Sequence, residues 1–107
     1  MVRTQRNAWI HAVASLIAFG TAFWVKLATR DWALLVFAVA LVWTAEFVNT
    51  ALEAVVDLHS TQEHPLAKVG KDVGAAAVLI AALAAVVIGL LVLGPPVVDK
   101  VKPFFDS

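Results

Sequence analysis

Long apolar runs separated by short polar clusters set the outline of this chain. Ile10 to Leu27 is apolar but for His11, Ser15, Thr21 and Lys26, which predicts a first helix over about residues 8–28. Trp32 to Ala45 is almost wholly apolar and predicts a second helix over about 32–58. Between them Ala28-Thr29-Arg30-Asp31 reads as a turn, with Asp31 placed to cap the next helix. His59 to His64 is polar loop, and Pro65 suits the first turn of a third helix over about 65–93. Val73 to Leu93 carries no charge; its length at about 1.5 Å per residue gives roughly 31 Å, a full hydrocarbon crossing. Gly94-Pro95-Pro96 is expected to stop that helix and leave a tail, 94–107, in which Phe104 and Phe105 can touch the interface.

A positive start (Arg3 and Arg6) ahead of an apolar run is also how a signal peptide begins. The run is long for that purpose and no small-x-small cleavage site follows it. It reads instead as a membrane helix, with Trp9 and Trp24 near the two interfaces and Lys26 snorkelling. His11 is expected to be a packed or interfacial histidine rather than a ligand. The spacing Gly70-x-x-x-Gly74 suits close helix contact.

Composition sharpens this into a class. Of 107 residues 62% are hydrophobic and 15% charged, against about 45–50% and 25% in soluble domains. The chain is therefore read as one all-α membrane domain, residues 1–107, with three transmembrane helices. Net charge is zero, and no basic tract interleaved with aromatics occurs, so nucleic acid is not an expected partner. With no cysteine there is neither a disulfide framework nor a thiolate site.

Against that background one stretch stands out, Ala45 to Asp57. At about 100° per residue Glu46, Asn49, Glu53 and Asp57 share one helix stripe, with Thr50 beside them. On a soluble helix such a stripe is usually a solvated face. Here it continues a membrane-grade segment, where carboxylates are costly and mark function.

The same stretch, with His64-Pro65-Leu66-Ala67-Lys68 and Lys71-Asp72 downstream, resembles the signature of the prokaryotic integral-membrane diacylglycerol kinase family, which includes the undecaprenol kinases. The likeness spans roughly residues 5 to 93. It implies a homotrimer in the bacterial inner (cytoplasmic) membrane, multi-pass, with its active site facing the cytoplasm. It implies transfer of the ATP γ-phosphate to the hydroxyl of undecaprenol or diacylglycerol. Such a transfer needs a base at the hydroxyl, a divalent cation on the phosphates, and positive charge beside the migrating group. Glu46 lies deepest, where a lipid hydroxyl would reside, and both that depth and the resemblance make it the base. Glu53, two turns outward, matches a family Mg²⁺ ligand. Lys71 is placed to neutralise phosphate, with Asp72 and Asn49 orienting groups around it; Asp57 belongs to the same ATP-binding set. Gln62, Glu63 and His64 occupy nucleotide-contacting positions. The soluble-kinase glycine loops, Gly-x-x-x-x-Gly-Lys-Ser/Thr and Gly-x-Gly-x-x-Gly, are both absent.

Two departures from the family pattern concern the first helix. Gln5, in Gln5-Arg6-Asn7-Ala8-Trp9-Ile10-His11, stands where a second metal-binding carboxylate is expected, so Mg²⁺ affinity should fall. The chain also begins almost there, and contacts from the family's upstream amphipathic helix are expected to be missing. The intramembrane carboxylates keep one rival in view, a proton- or cation-conducting oligomer using Glu46 and Glu53, and these departures encourage another, a catalytically inactive family member. Charge does not decide orientation. Arg3, Arg6, Lys68 and Lys71 at one end balance Lys26, Arg30, Lys100 and Lys102 at the other.

Overall fold

The computed structural model describes residues 2–59 and 65–106, with side chains from residue 8 onward. It contains three helices, α1 (Val2–Trp24), α2 (Thr29–His59) and α3 (Pro65–Asp106). α2 packs chiefly against α3, and α1 lies across both with a smaller contact. The molecule measures 63 × 24 × 17 Å. That long axis is set by α3, whose 42 residues reach about 63 Å at 1.5 Å each.

α1 ends four residues before the sequence pattern predicts, and it ends by a defined mechanism. The Leu27 amide donates to the Ala22 carbonyl at 3.1 Å and the Lys26 amide to Phe23 at 3.3 Å. Lys26 has φ of 55°. These are the bonds of a Schellman cap, in which a left-handed residue closes the last turn. Lys26 therefore serves as the helix cap and not as a residue of the helix. Leu27 then folds back onto Ala22, in a cluster with Leu35 and Val92. α2 begins at once, its first bond running from the Trp32 amide to the Ala28 carbonyl at 2.9 Å. Ala28 is thus the cap position. Asp31 sits in the first turn, where it favours the positive helix end without capping it.

α3 does not stop at Gly94. It continues through Pro95, Pro96 and Pro103 to Asp106, so the segment expected to be a tail is helical. Prolines there remove backbone donors and disfavour helix. Tertiary contacts on both sides oppose that local preference. Val92 is buried in the cluster with Ala22, Leu27 and Leu35. Two turns later the Lys100 ammonium stands 5.3 Å from the Trp24 ring centroid, within cation–π range.

Large apolar side chains, among them Leu16, Phe23, Phe37, Ile80, Leu83 and Leu91, lie exposed along all three helices. A surface of that kind is suited to lipid or to neighbouring chains. α2 and α3 are long and apolar enough to cross a bilayer, while the apolar part of α1, Ala8–Trp24, is shorter.

Of the two glycines spaced for close packing, only Gly74 is held to that role by its surroundings. A methyl group at Gly74 would collide with the Asn49 carboxamide oxygen, whereas one at Gly70 would meet Val56 at 3.8 Å, an ordinary contact. Gly70→Ala is expected to be neutral or to stabilise by up to about 1 kcal/mol through helix propensity. Gly74→Ala is expected to destabilise by about 1–3 kcal/mol through overpacking. Thermal unfolding in detergent checks both; equal behaviour of the two variants would sink the distinction.

Candidate active site

The stripe predicted on α2 is divided between two neighbours. Its deepest member, Glu46, is the one buried charged side chain among the described residues, at 4% exposure. It faces α1, where His11 Nε2 lies 3.3 Å from Glu46 Oε2. The Thr50 hydroxyl donates to the Glu46 carbonyl at 2.9 Å, a local bond that leaves the carboxylate uninvolved. One turn on, Asn49 turns towards α3, where its carboxamide oxygen is buried against Gly74 without a hydrogen-bond partner. An orphaned buried amide oxygen costs free energy unless something satisfies it, so its presence marks the seam as specialised. The seam opens into a cavity of about 210 Å³ lined mainly by apolar residues, including Leu41, Ala45, Val48, Leu52 and Ala77.

Two turns outward the chemistry changes from buried to wet. Glu53 is half-buried and Asp57 is exposed. Lys71 reaches across from α3 to place Nζ 2.6 Å from Asp57 Oδ1. Lys71 precedes the charge-free crossing of α3, and its pKa is raised above that of an ordinary lysine. The hydrogen bond that Lys71 donates to Asp57 is the largest cause; desolvation opposes it, and the charges of Asp57 and Glu53 add to it. Its ammonium is therefore fully charged at neutral pH, and it is held over the carboxylates of α2. Asp72, the neighbour expected to work with Lys71, is exposed, and the pair that forms is Lys71 with Asp57.

Of the remaining predicted residues, Gln5 lies in the part of α1 described by backbone alone, and Gln62, Glu63 and His64 lie outside the described residues. Among the described residues no three His, Asp or Glu side chains converge as a metal cage.

Sequence reasoning missed one participant. His11, expected to be packed or interfacial, is the residue that meets Glu46. Around it Ser15 Oγ donates to the His11 carbonyl at 2.7 Å and Trp43 Nε1 donates to Ser15 Oγ at 3.1 Å. Trp43 in turn stands edge-on to the His11 ring. A signal was present, since His11 and Ser15 are polar, four residues apart, and share a face of an otherwise apolar helix.

The sequence that builds this arrangement matches a recognised group of proteins. The family model described as prokaryotic diacylglycerol kinase matches residues 1–93. The chain belongs to that family. Among its relatives, an undecaprenol kinase from Bacillus subtilis is 38% identical over 93 residues, covering 87% of this chain and 76% of the relative. A diacylglycerol kinase from Synechocystis is 44% identical over 97 residues, 90% of this chain but 55% of that longer protein. The diacylglycerol kinase of Escherichia coli K12 is 40% identical over 89 residues, covering 77% and 73%. Family membership makes this chain a lipid kinase, and its apolar helices suit the bacterial membrane in which such an enzyme works. The family match ends at residue 93, so the helical extension through Pro95 and Pro96 lies beyond it.

Proposed function

We propose that this chain transfers the γ-phosphate of ATP to the hydroxyl of a membrane lipid alcohol, undecaprenol or diacylglycerol, with Glu46 as the general base. The observation that carries the reading is the burial of Glu46, a carboxylate shielded from water within the apolar helices, with charged groups gathered two to three turns along α2. Burial of an ionisable group without full compensation is costly, and in a membrane helix that cost points to use.

In this scheme Glu46 takes the proton of the lipid hydroxyl as that oxygen attacks the γ-phosphorus, and the bond from phosphorus to the β,γ-bridging oxygen breaks to release ADP. Lys71 exchanges its contact with Asp57 for phosphate oxygens and offsets their charge. Asn49, whose oxygen has no protein partner, is available to orient a ligand donor in the seam. Asp72 and the 62–64 loop, Gln62, Glu63 and His64, complete the nucleotide contacts. Mg²⁺ on a nucleotide needs only one or two carboxylates besides phosphate oxygens, so the donor set here fits without a protein cage. Glu53 would hold it, with the Gln5 amide as a neutral second ligand. The cation would supply charge neutralisation on the phosphates.

The same proposal includes three membrane crossings, a homotrimer, and the polar end of the bundle facing the cytoplasm, where ATP is found. Trp24, Lys26 and Lys100 lie together at the opposite end, as groups at one membrane interface would. Of the two lipids undecaprenol is preferred, because the Pro65-Leu66-Ala67-Lys68 form of the motif resembles the undecaprenol-kinase branch of the family.

Purified protein incubated with MgATP and each lipid alcohol tests the activity. A phosphorylated lipid is the expected product, and no product from either lipid would overturn the reading in favour of an inactive family member. Rate measured against Mg²⁺ in Glu53→Gln tests the metal ligand: the curve should move to higher Mg²⁺, and an unmoved curve removes Glu53 from that role.

A further inference from the structure

The contact between His11 and Glu46 is unexplained by the reaction as described above. A general base must be ionised before it acts, and an ionised carboxylate accepts hydrogen bonds but donates none. The 3.3 Å contact at Oε2 therefore requires the proton of His11 to sit on Nε2. With Oε2 engaged, Oε1 is the oxygen left to receive a proton from a lipid hydroxyl.

The ring of His11 is itself fixed. Its centroid is 6.1 Å from that of Trp43 with the planes at 65°, an edge-to-face arrangement. The Trp43 indole N–H is tied to Ser15 Oγ, and the Ser15 hydroxyl to the carbonyl of His11. The loop thus closes on the residue where it began, and it bridges α1 to α2. Phe47 packs on the other side of Trp43, with ring centroids 5.7 Å apart.

We propose that His11 is a positioning residue for the base. It donates Nε2–H to Glu46 Oε2, selects one carboxylate rotamer, and aims Oε1 at the acceptor lipid; Trp43 and Ser15 hold the ring for that purpose. Glu46 is a flexible side chain, and orienting it before substrate arrives removes an entropic cost from the proton-transfer step. The proposal rests on Glu46 being the base.

Three variants test it. His11→Phe keeps a ring against Trp43 but has no donor, whereas His11→Gln keeps a neutral N–H donor and loses the ring. His11→Phe is expected to lower kcat about 10- to 100-fold, a cost typical of slight misplacement of a reacting group, with the KM for MgATP within about twofold. His11→Gln is expected to keep kcat within about threefold, because the donor is what counts. Full activity in His11→Phe, or a loss in His11→Gln as large as in His11→Phe, overturns the proposal. Glu46→Gln measured alongside separates the two ideas: if it stays active, the base reading itself fails, whereas an inactive Glu46→Gln with an unaffected His11→Phe rejects only the role of His11. Nitrogen-15 spectra of histidine-labelled protein in bilayers give a readout free of turnover. The His11 Nε2 signal should move on Glu46→Gln, and an unmoved signal overturns the proposal whatever the rates are.

Discussion

Glu46→Gln is expected to abolish phosphoryl transfer while the helices stay assembled. The substitution is close to isosteric, and the new amide oxygen can still accept from His11 Nε2, so the contact between α1 and α2 survives. What disappears is basicity. Loss of a positioned general base typically lowers rate by about 10²–10⁴-fold. Stability should hold or rise slightly, since a neutral amide is cheaper to bury than a carboxylate at this depth. Initial rate with saturating MgATP and lipid, measured beside a thermal unfolding curve, checks both halves. A rate above about a tenth of wild type would remove Glu46 from the base role.

Lys71→Met should have the next largest effect, and for a different reason. The pair with Asp57 is solvent-exposed on both sides, so it contributes little to stability, about 0–1 kcal/mol for pairs of this kind. Removing the ammonium should therefore leave the fold intact. In the proposed reaction, however, that ammonium faces the phosphate charge, and loss of one such group costs about 10²–10³ in kcat. Arginine at this position should rescue part of the rate by restoring charge with altered geometry. The check is kcat and the KM for MgATP in Lys71→Met and Lys71→Arg. A Lys71→Met rate within about threefold of wild type would place the lysine in a purely interfacial role.

Much of the candidate site was legible because its residues are chemically out of place. Glu46, Asn49, Glu53 and Asp57 interrupt a run that should be lipid-compatible, and carboxylates are not left in such a run without cause. Lys71 was legible for the same reason, as a charge one turn before a crossing. Its partner was not. Asp72 is adjacent in sequence, but adjacent helical residues diverge by about 100°. The approach of α2 to α3 brings Asp57 to Lys71 instead. His11 was harder still, since a lone histidine in an apolar helix is more often packed than functional, and only the packing of α1 on α2 sets it against Glu46.

Helix number, membrane class, family and the candidate carboxylates are all readable along the chain. Those properties follow from local composition and spacing along one chain, which hydrophobic periodicity records directly. The tertiary structure decided where the helices end and which side chains meet. α1 stops at Trp24 because Lys26 takes a left-handed conformation and Leu27 packs back onto Ala22. α3 runs on past two prolines as Val92 and Lys100 are held from both sides by residues of α1 and α2. The cap of α1 is local but is held where Leu27 meets Leu35 and Val92. In α3 contacts between residues distant in sequence outweigh a local preference of about a few kcal/mol that nothing nearby in the sequence offsets. The pairing of His11 with Glu46 is of the same kind, its partners 35 positions apart and brought together by the packing of α1 on α2.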